Sequence, residues 1–212
     1  MADPTAAVFG RQDVEILGRE FLHQGHLRVE RLRLRCRRYE GGWSHPFLRE
    51  VLVREQGVGV LPYDPVTDKV LLVEQFRVGC LDDAANGPWA LELIAGLQDT
   101  DEDLETLARR EAVEEAGLEL DQLIPVASYY NSPGGSSERL SVYCARFDSS
   151  CGTGIHGLEG EAENIRMLIL DREQALAALA GGRINNAMSI IALLWLQLNL
   201  ANVREKLLAQ GA

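Results

Sequence analysis

The spacing of hydrophobic residues changes along the chain and predicts a mixture of strands and helices. Residues 26–39 alternate between apolar and charged positions, which is typical of a half-exposed strand. The alternation changes phase between Val29 and Leu32, which indicates a bulge or two short strands. A continuous apolar run at 70–75 has the length of a buried central strand, whereas the pattern at 187–208 has the length of a helix.

Further elements complete this pattern. Strands are predicted at 50–55, 58–61, 90–95, 126–130, 140–147 and 165–170. Helices are predicted at 101–116, 173–180 and 187–208. Gly117 follows the first of these helices and is predicted to cap it, because glycine adopts the left-handed conformation at little cost. The order of elements indicates an α/β protein with helices packed on a mixed sheet.

A turn-rich segment at 40–46, which contains two glycines and a proline, indicates a domain boundary near residue 47. We therefore predict a β-rich N-terminal segment at 1–47 and a main domain at 48–212. The N-terminal segment is too small to bury a core of its own, so we expect it to serve in dimerisation.

Charge and composition exclude several classes of protein. The 212 residues carry 21 Lys and Arg against 32 Asp and Glu, a net charge of −11, which argues against a broad nucleic-acid surface. A compact site that holds a polyanion through metal ions or a few arginines remains compatible with this balance. Six arginines crowd residues 28–38, and two interpretations stay open: a solvated strand face, or an arginine-rich subunit interface.

The cysteines and the longest apolar stretch bear on compartment. The four cysteines form no C-x-x-C pair, so neither a disulfide framework nor a metal cluster is predicted, and a reducing cytosol fits best. The first residues show no signal-peptide pattern. The apolar stretch from Ile190 to Leu200 is too short to span a bilayer and is typical of a buried helix. We therefore expect a cytoplasmic protein without a membrane span.

The predicted helix at 101–116 carries an unusual pair of acids. Glu111 and Glu115 are four residues apart and lie on the same stripe as the apolar residues of 104–108. Two like charges on an inward face repel and are expensive to bury. A hard divalent cation between them removes the conflict, because Mg²⁺ prefers oxygen ligands and commonly uses one or two carboxylates with substrate phosphates. Arg110 is placed to hold a neighbouring acid, and the competing interpretation is a solvated acidic helix end.

The same segment resembles the Nudix box, G-x5-E-x7-R-E-U-x-E-E-x-G-U, in which U is apolar. Its fixed positions are filled by Gly96, Glu102, Arg110, Glu111, Glu114, Glu115, Gly117 and Leu118, with Ala112 at the first U. The resemblance implies a Nudix-type α/β/α sandwich with a mixed β-sheet, preceded by a small N-terminal antiparallel β arm. It also implies a metal-dependent hydrolase that acts on a nucleoside diphosphate linked to another moiety.

A proline narrows the resemblance to one branch of the family. Pro133 stands 16 residues after Gly117, which marks the ADP-ribose-hydrolysing branch, and the likeness extends through 74–77, 154–158 and 185–198. This resemblance implies Mg²⁺-dependent hydrolysis of the diphosphate of ADP-ribose to AMP and ribose 5-phosphate. Mn²⁺ is expected as a substitute metal, and a homodimer is expected to share its substrate sites between subunits.

The resemblance also assigns metal and proton-transfer roles. Metal is expected on Glu111, Glu115, Glu163 and the carbonyl of Ala95, and the supporting box residues are Gly96, Glu102, Arg110, Glu114 and Gly117. Glu161 takes the role of general base, in a glycine-rich loop that can swing a carboxylate into place. Glu159 stays open as an alternative base.

Substrate contacts follow from the same motif positions. Arg54 and Arg77 correspond to substrate-binding arginines, whose guanidinium groups suit phosphate and ribose oxygens. The remaining expected contacts are Arg49, Glu50, Leu97, Ser132, Pro133, Gly134 and Glu138, several of them contributed across the dimer. At the adenine position the family pattern has an aromatic residue, whereas this chain has His26 and Leu27, and the histidine ring can still stack.

Three other interpretations compete with this function. A Nudix hydrolase of another nucleotide sugar, such as GDP-mannose, shares the box and differs in the pocket. A non-catalytic ADP-ribose sensor normally loses box carboxylates, whereas all three glutamates at 111, 114 and 115 are present. A structural dimer with an incidental acidic helix requires the box, the proline and the Gly/Glu loop to coincide by chance.

Overall fold

The computed structural model describes residues 3–209, with every side chain among them except that of Glu161. The strands are β1 (Val14–Gln24), β2 (Arg28–Cys36), β3 (Phe47–Val53), β4 (Gly57–Asp64), β5 (Lys69–Phe76), β6 (Trp89–Glu92), β7 (Ile94–Leu97), β8 (Leu123–Tyr130), β9 (Arg139–Arg146), β10 (Ile155–His156) and β11 (Ile165–Asp171). The helices are α1 (Leu104–Ala116), α2 (Arg172–Ala180) and α3 (Ala187–Leu208). Contacts group the described chain into two compact units. The first runs to Arg54 and includes Tyr130–Glu138, and the second holds the rest.

The first unit contains a three-stranded antiparallel sheet in the order β1-β2-β3. Strand β2 runs unbroken, so the predicted bulge or split within it is wrong. The irregularities lie instead in β1, a strand that the sequence analysis missed, at Ile16/Gly18 and Phe21/His23. The phase change in β2 arises because Val29 lies on one face of the sheet and Leu32 on the other.

Most arginines of 28–38 pair with acids of their own unit. Arg31 bonds to Glu20 at 3.1 Å and to Glu50 at 2.9 Å, and Arg35 donates to Glu15 at 2.6 Å. The guanidinium groups of Arg35 and Arg37 also lie over the ring of Trp43, at 4.9 Å and 4.4 Å from its centroid. The sheet therefore compensates these charges itself, and the subunit-interface interpretation stays a prediction.

The second unit is built on an eight-stranded sheet in the order β10-β11-β5-β4-β9-β8, with β6 beside β5 and β7 beside β4. Strands β4 and β9 pair in parallel, and β4 pairs antiparallel with β5, so the predicted mixed sheet is confirmed. Val58 and Val60 pack with the helix α1 on one face, whereas Leu61 and Tyr63 pack with α3 on the other. This arrangement confirms the α/β/α sandwich.

Several predicted elements are adjusted by the structure. The single strand expected at 90–95 is two strands, because β6 pairs with β5 and β7 pairs with β4. Helix α1 begins at Leu104 rather than 101, since the side chain of Asp103 caps it by accepting bonds from two backbone N–H groups. Gly117 ends α1 with φ of 63°, as predicted. The boundary at residue 47 stays a prediction.

Helix α3 is longer than the apolar stretch within it. Over its 22 residues it is the one described helix with the length and composition of a membrane-crossing segment, with a mean hydropathy of 1.3 over its most apolar window. Of that window 28% is buried in the structure. Ala192, Leu193 and Leu196 are buried against the sheet, so α3 also serves as a core helix.

Candidate active site

The box helix α1 brings its two predicted metal ligands to the inner face, as the spacing indicated. Glu115 is 2% exposed, and its two carboxylate oxygens accept hydrogen bonds from the Gln75 side-chain amide at 3.2 Å and from the Ala95 backbone N–H at 3.0 Å. Glu111 lies one turn earlier, with its side chain 12% exposed. Two carboxylates therefore meet beside β7 with few donors around them.

The electrostatics of this pair favour a cation. Burial raises the pKa of Glu115 to about 8, although Ala95, Arg77 and Gln75 oppose the shift. Burial also raises the pKa of Glu111 to about 7, against the opposing charge of Arg110. Such carboxylates bind a proton near neutral pH unless another positive charge replaces it. Hard oxygen donors with unbalanced negative charge fit a divalent cation such as Mg²⁺.

Gly96 shows why the box begins with glycine. A Cβ added at Gly96 would lie 2.1 Å from Oε1 and from Cδ of Glu111, far inside van der Waals contact. The bare backbone of β7 therefore lets the Glu111 carboxylate approach the strand. The first box position shapes the place where the two carboxylates are held.

Arg110 organises the outer side of the pair. Its guanidinium donates to Glu102 at 2.8 Å and to Glu114 at 2.9 Å, and it lies 3.0 Å from Glu111. The hydrogen bond to Glu102 is the main reason that the pKa of Arg110 is raised. The expectation that Arg110 holds a neighbouring acid is confirmed.

The glycine-rich loop after β10 contacts the end of this helix, and its described side chains do not complete a metal site. Gly157 N–H donates to the Glu114 carbonyl at 3.2 Å, and the Glu163 carboxylate accepts a bond from Leu158 N–H at 3.1 Å. Among the described side chains, no three His, Cys, Asp or Glu residues come together as a ligand set. Glu163 as a ligand stays a prediction.

The predicted base lies outside the described side chains. Glu161 ends a single 3₁₀ turn that begins at Glu159, and only the backbone of Glu161 is described. The alternative base, Glu159, is exposed. The choice between these two glutamates therefore stays open.

Sequence analysis missed two polar residues of the site. Gln75 is 5% exposed in β5 and donates to Glu115, and Glu92 is 7% exposed at the end of β6 and accepts a bond from Arg77 at 2.7 Å. Each of them is a polar residue within an apolar run of strand length. That pattern could have indicated a buried hydrogen-bonding role, because buried polar groups need partners.

In the first unit, the structure brings together several of the expected substrate contacts. Arg54 lies 3.8 Å from Glu138, whose other carboxylate oxygen accepts a bond from Asn131 at 2.7 Å. The turn that holds Ser132, Pro133 and Gly134 is anchored to β3, because Leu52 N–H donates to the Gly135 carbonyl at 2.8 Å.

The other predicted contacts are less concentrated. Glu50 is occupied by Arg31, and the guanidinium of Arg49 lies 4.6 Å from the Phe47 ring centroid. His26 and Leu27 are exposed at the turn between β1 and β2. In the second unit, Leu97 is half-buried in β7 and pairs with Gly57.

A cleft elsewhere in the second unit contains none of these residues. It has a volume of about 430 Å³ and is lined by 153–155 and 166–170, along the outer side of β11. The candidate site is therefore defined by its charged groups and not by this cleft.

Comparison with known proteins agrees with this geometry. The NUDIX domain model matches residues 53–188, and the chain belongs to the NUDIX domain family. The ADP-ribose pyrophosphatase of Escherichia coli strain K12 is 44% identical over 197 residues, which cover 93% of this chain and 94% of that protein. The ADP-ribose pyrophosphatase of Haemophilus influenzae is 39% identical over 93% of this chain and 92% of its own length.

Two further matches are more distant. The GDP-mannose pyrophosphatase of Salmonella paratyphi B is 34% identical over 149 residues, which cover 70% of this chain and 77% of that protein. A solved structure titled as an ADP compounds hydrolase superposes with a TM-score of 0.66 at 23% identity, covering 94% of this chain and 97% of that one. The structural match supports the fold alone.

Proposed function

We propose that this chain is a Mg²⁺-dependent ADP-ribose pyrophosphatase that hydrolyses ADP-ribose to AMP and ribose 5-phosphate. The observation that carries the proposal is the buried pair Glu111 and Glu115. Their raised pKa values indicate negative charge that the protein does not compensate and that a cation can neutralise. Relatives named ADP-ribose pyrophosphatase match almost the full chain at 44% identity, which favours this substrate over the more distantly matched GDP-mannose.

The chain's own residues divide the work as follows. Glu111, Glu115 and the Ala95 carbonyl would hold the cation, and Glu163, whose carboxylate accepts a bond from the Leu158 N–H, would be a further ligand. When bound, a divalent cation neutralises the charge of the diphosphate and acts as a Lewis acid. Arg77 binds a phosphate oxygen through its guanidinium, because planar paired donors match phosphate geometry. Mn²⁺ is expected to substitute for Mg²⁺.

Proton transfer falls to the loop after β10. Glu161 accepts the proton of the water that attacks phosphorus, with Glu159 as the alternative base. Ala162 has φ of 57°, a left-handed conformation that is strained for a residue other than glycine, and a movement of the loop can release that strain. Positioning and electrostatics are expected to supply most of the rate gain.

The first unit is proposed to complete the substrate site in a homodimer. It contains no α-helix among its described elements, and apolar side chains such as Ile16, Phe21 and Leu48 are 37% to 55% exposed. The proposed contacts to the terminal ribose side are Glu138 and the Ser132–Gly134 turn, and Arg54 binds phosphate or ribose oxygens. Arg49 and Glu50 form another set contributed across the dimer. His26 and Leu27 stand at the adenine position, where the histidine ring can stack. Cytoplasmic location is part of the same proposal, without nucleic-acid or membrane partners.

A substrate panel tests the activity. Purified protein is assayed with ADP-ribose, other ADP-sugars and GDP-mannose in the presence of Mg²⁺, and products are separated by chromatography. We expect the highest kcat/KM on ADP-ribose, with AMP released and activity abolished by EDTA. A clear preference for GDP-mannose would replace the substrate assignment, and binding of ADP-ribose without turnover would identify a sensor.

A further inference from the structure

Arg77 is held at two points by the neighbouring strand. Its backbone N–H donates to the carbonyl of Pro88 at 2.7 Å, just before β6, and its side-chain Nε donates to Oε1 of Glu92 at 2.7 Å. Glu92 stands opposite Val73 in the register of β5 and β6. Arg77, which directly follows β5, is therefore tied to the residue before β6 and to the last residue of β6.

The pair of Arg77 and Glu92 is poorly explained as a stabilising ion pair. The Glu92 side chain is 9% exposed, whereas that of Arg77 is 42% exposed. Burial raises the pKa of Glu92 although Arg77 opposes the shift, so the carboxylate is incompletely compensated. Ion pairs with a solvent-exposed partner contribute little to stability, because solvent screens their charges.

The guanidinium of Arg77 lies within electrostatic range of the carboxylates of Glu115 and Glu163. Burial lowers the pKa of Arg77, but Glu92, followed by Glu115 and Glu163, outweighs this effect and raises it. The hydrogen bond to Glu92 uses Nε alone, and the two terminal nitrogens make no hydrogen bond to the described side chains. Four N–H donors are therefore available for an anionic ligand.

We propose that Glu92 is a positioning residue, which fixes the Arg77 guanidinium so that its terminal nitrogens bind the diphosphate. The inference rests on the proposed function, because it takes Arg77 as a phosphate-binding residue. Glu92 itself touches neither cation nor substrate in this proposal. It acts by holding a flexible side chain in one orientation before substrate arrives.

A double-mutant cycle tests the proposal. E92Q removes the charge with little change of shape, R77A removes the guanidinium, and the double variant removes both. For E92Q we expect kcat/KM on ADP-ribose to fall about 10- to 100-fold, because a displacement near 1 Å costs that much. For the double variant we expect no further loss beyond that of R77A, because Glu92 acts only through Arg77.

Two further measurements separate positioning from a structural or metal effect. Mg²⁺ affinity of the free protein, measured calorimetrically, should be unchanged in E92Q. D68N is the matched control, because Asp68 pairs with the buried Arg172 at 3.1 Å in the same unit. D68N is expected to lower Tm and to leave KM unchanged. E92D keeps the charge on a shorter side chain and should retain more activity than E92Q, and it replaces E92Q if that variant fails to fold.

The outcomes distinguish this inference from the proposed function. If the wild-type protein hydrolyses ADP-ribose and E92Q retains full kcat/KM, the positioning role is wrong. The same holds if the losses of E92Q and R77A add in the double variant. If the wild-type protein prefers another nucleoside diphosphate sugar, the substrate assignment fails, and the cycle is run on that sugar with the same expectations.

Discussion

Glu115 and Asp64 are buried carboxylates of the same compact unit, 2% and 4% exposed, and their pKa values move in opposite directions. Burial raises the pKa of Glu115 to about 8. Burial also disfavours the charged form of Asp64, but donors from Ser149, Thr67 and Val66 outweigh it and lower the pKa to about 2. The degree of burial therefore does not decide the protonation state.

The difference lies in how many donors the chain supplies. Asp64 accepts bonds from Val66 N–H at 2.8 Å, from the backbone and hydroxyl of Thr67 at 3.2 and 2.7 Å, and from Ser149 N–H at 3.1 Å. Among the residues that the structure describes, Glu115 accepts bonds only from Gln75 and Ala95. A carboxylate with a complete set of hydrogen-bond donors stabilises a turn, whereas a carboxylate with too few donors is available to bind a cation.

The largest expected effect comes from removing the deficient carboxylate. Glu115→Gln should lower kcat on ADP-ribose by roughly 100-fold or more, because loss of residues merely supporting a metal already costs 10- to 100-fold. Folding should be intact, since the amide keeps the shape and needs no counter-charge. Steady-state kinetics and a thermal scan in EDTA measure the two quantities. Near-normal turnover with excess Mg²⁺ would contradict the metal assignment.

Gly96→Ala probes the same carboxylate pair through the backbone. The added Cβ would meet the end of the flexible Glu111 side chain rather than backbone, so the side chain moves and the fold tolerates the change. We expect a loss of Mg²⁺ affinity of about 10- to 100-fold. Titration calorimetry gives the affinity, and Gly79→Ala is the control, because a Cβ there meets no described atom within 4 Å beyond its chain neighbours. Unchanged Mg²⁺ affinity in Gly96→Ala would show that Gly96 does not shape the metal site.

The features that could be predicted from the sequence are those set by local spacing, and the features that could not are those set by the pairing of strands. The inward pair Glu111 and Glu115 was predictable, because a spacing of four residues on an apolar stripe fixes their common face. The pairing of Arg77 with Glu92 was not, because strand register joins residues 15 positions apart and no local pattern encodes it. The split of 90–95 into two strands was hidden for the same reason. Each half pairs with a different neighbour.

A change in pH should affect the stability contributed by Glu115 and the stability contributed by Asp64 in opposite directions. For Glu111 and Glu115 the folded pKa lies above the ordinary value of 4.5, so their contribution to stability is present below about pH 4.5 and is lost as pH rises through 7 to 8. The metal-free protein should therefore have a Tm that falls between pH 5 and 8. Thermal scans in EDTA measure this slope.

Two comparisons sharpen the pH prediction. Glu115→Gln should flatten the slope, because one of the two titrating groups is gone. Mg²⁺ should raise Tm most at the upper end of the range, where protons no longer compete for the carboxylates. At a hundred times its Kd it should add about 2.7 kcal/mol to the free energy of unfolding. An equal slope in wild type and Glu115→Gln would show that other groups cause the pH dependence.

The smallest effect is expected at Asp64, whose carboxylate has a complete set of hydrogen-bond donors, and only the stability of the fold should change. Asp64→Asn removes the charge that four donors were arranged to meet, which costs about 1–3 kcal/mol. That corresponds to a fall in Tm of about 2–4 °C for each kcal/mol in a chain of this size. For Asp64 the folded pKa lies below 3.8, so the wild-type contribution is present above that pH and is lost toward pH 2. The variant should therefore be less stable than wild type at pH 7, while kcat and Mg²⁺ affinity stay unchanged. Glu115→Gln is expected to show the reverse behaviour, with kcat lowered and folding intact. A loss of Mg²⁺ affinity in Asp64→Asn would therefore contradict the distinction between a carboxylate that stabilises a turn and one that binds a cation.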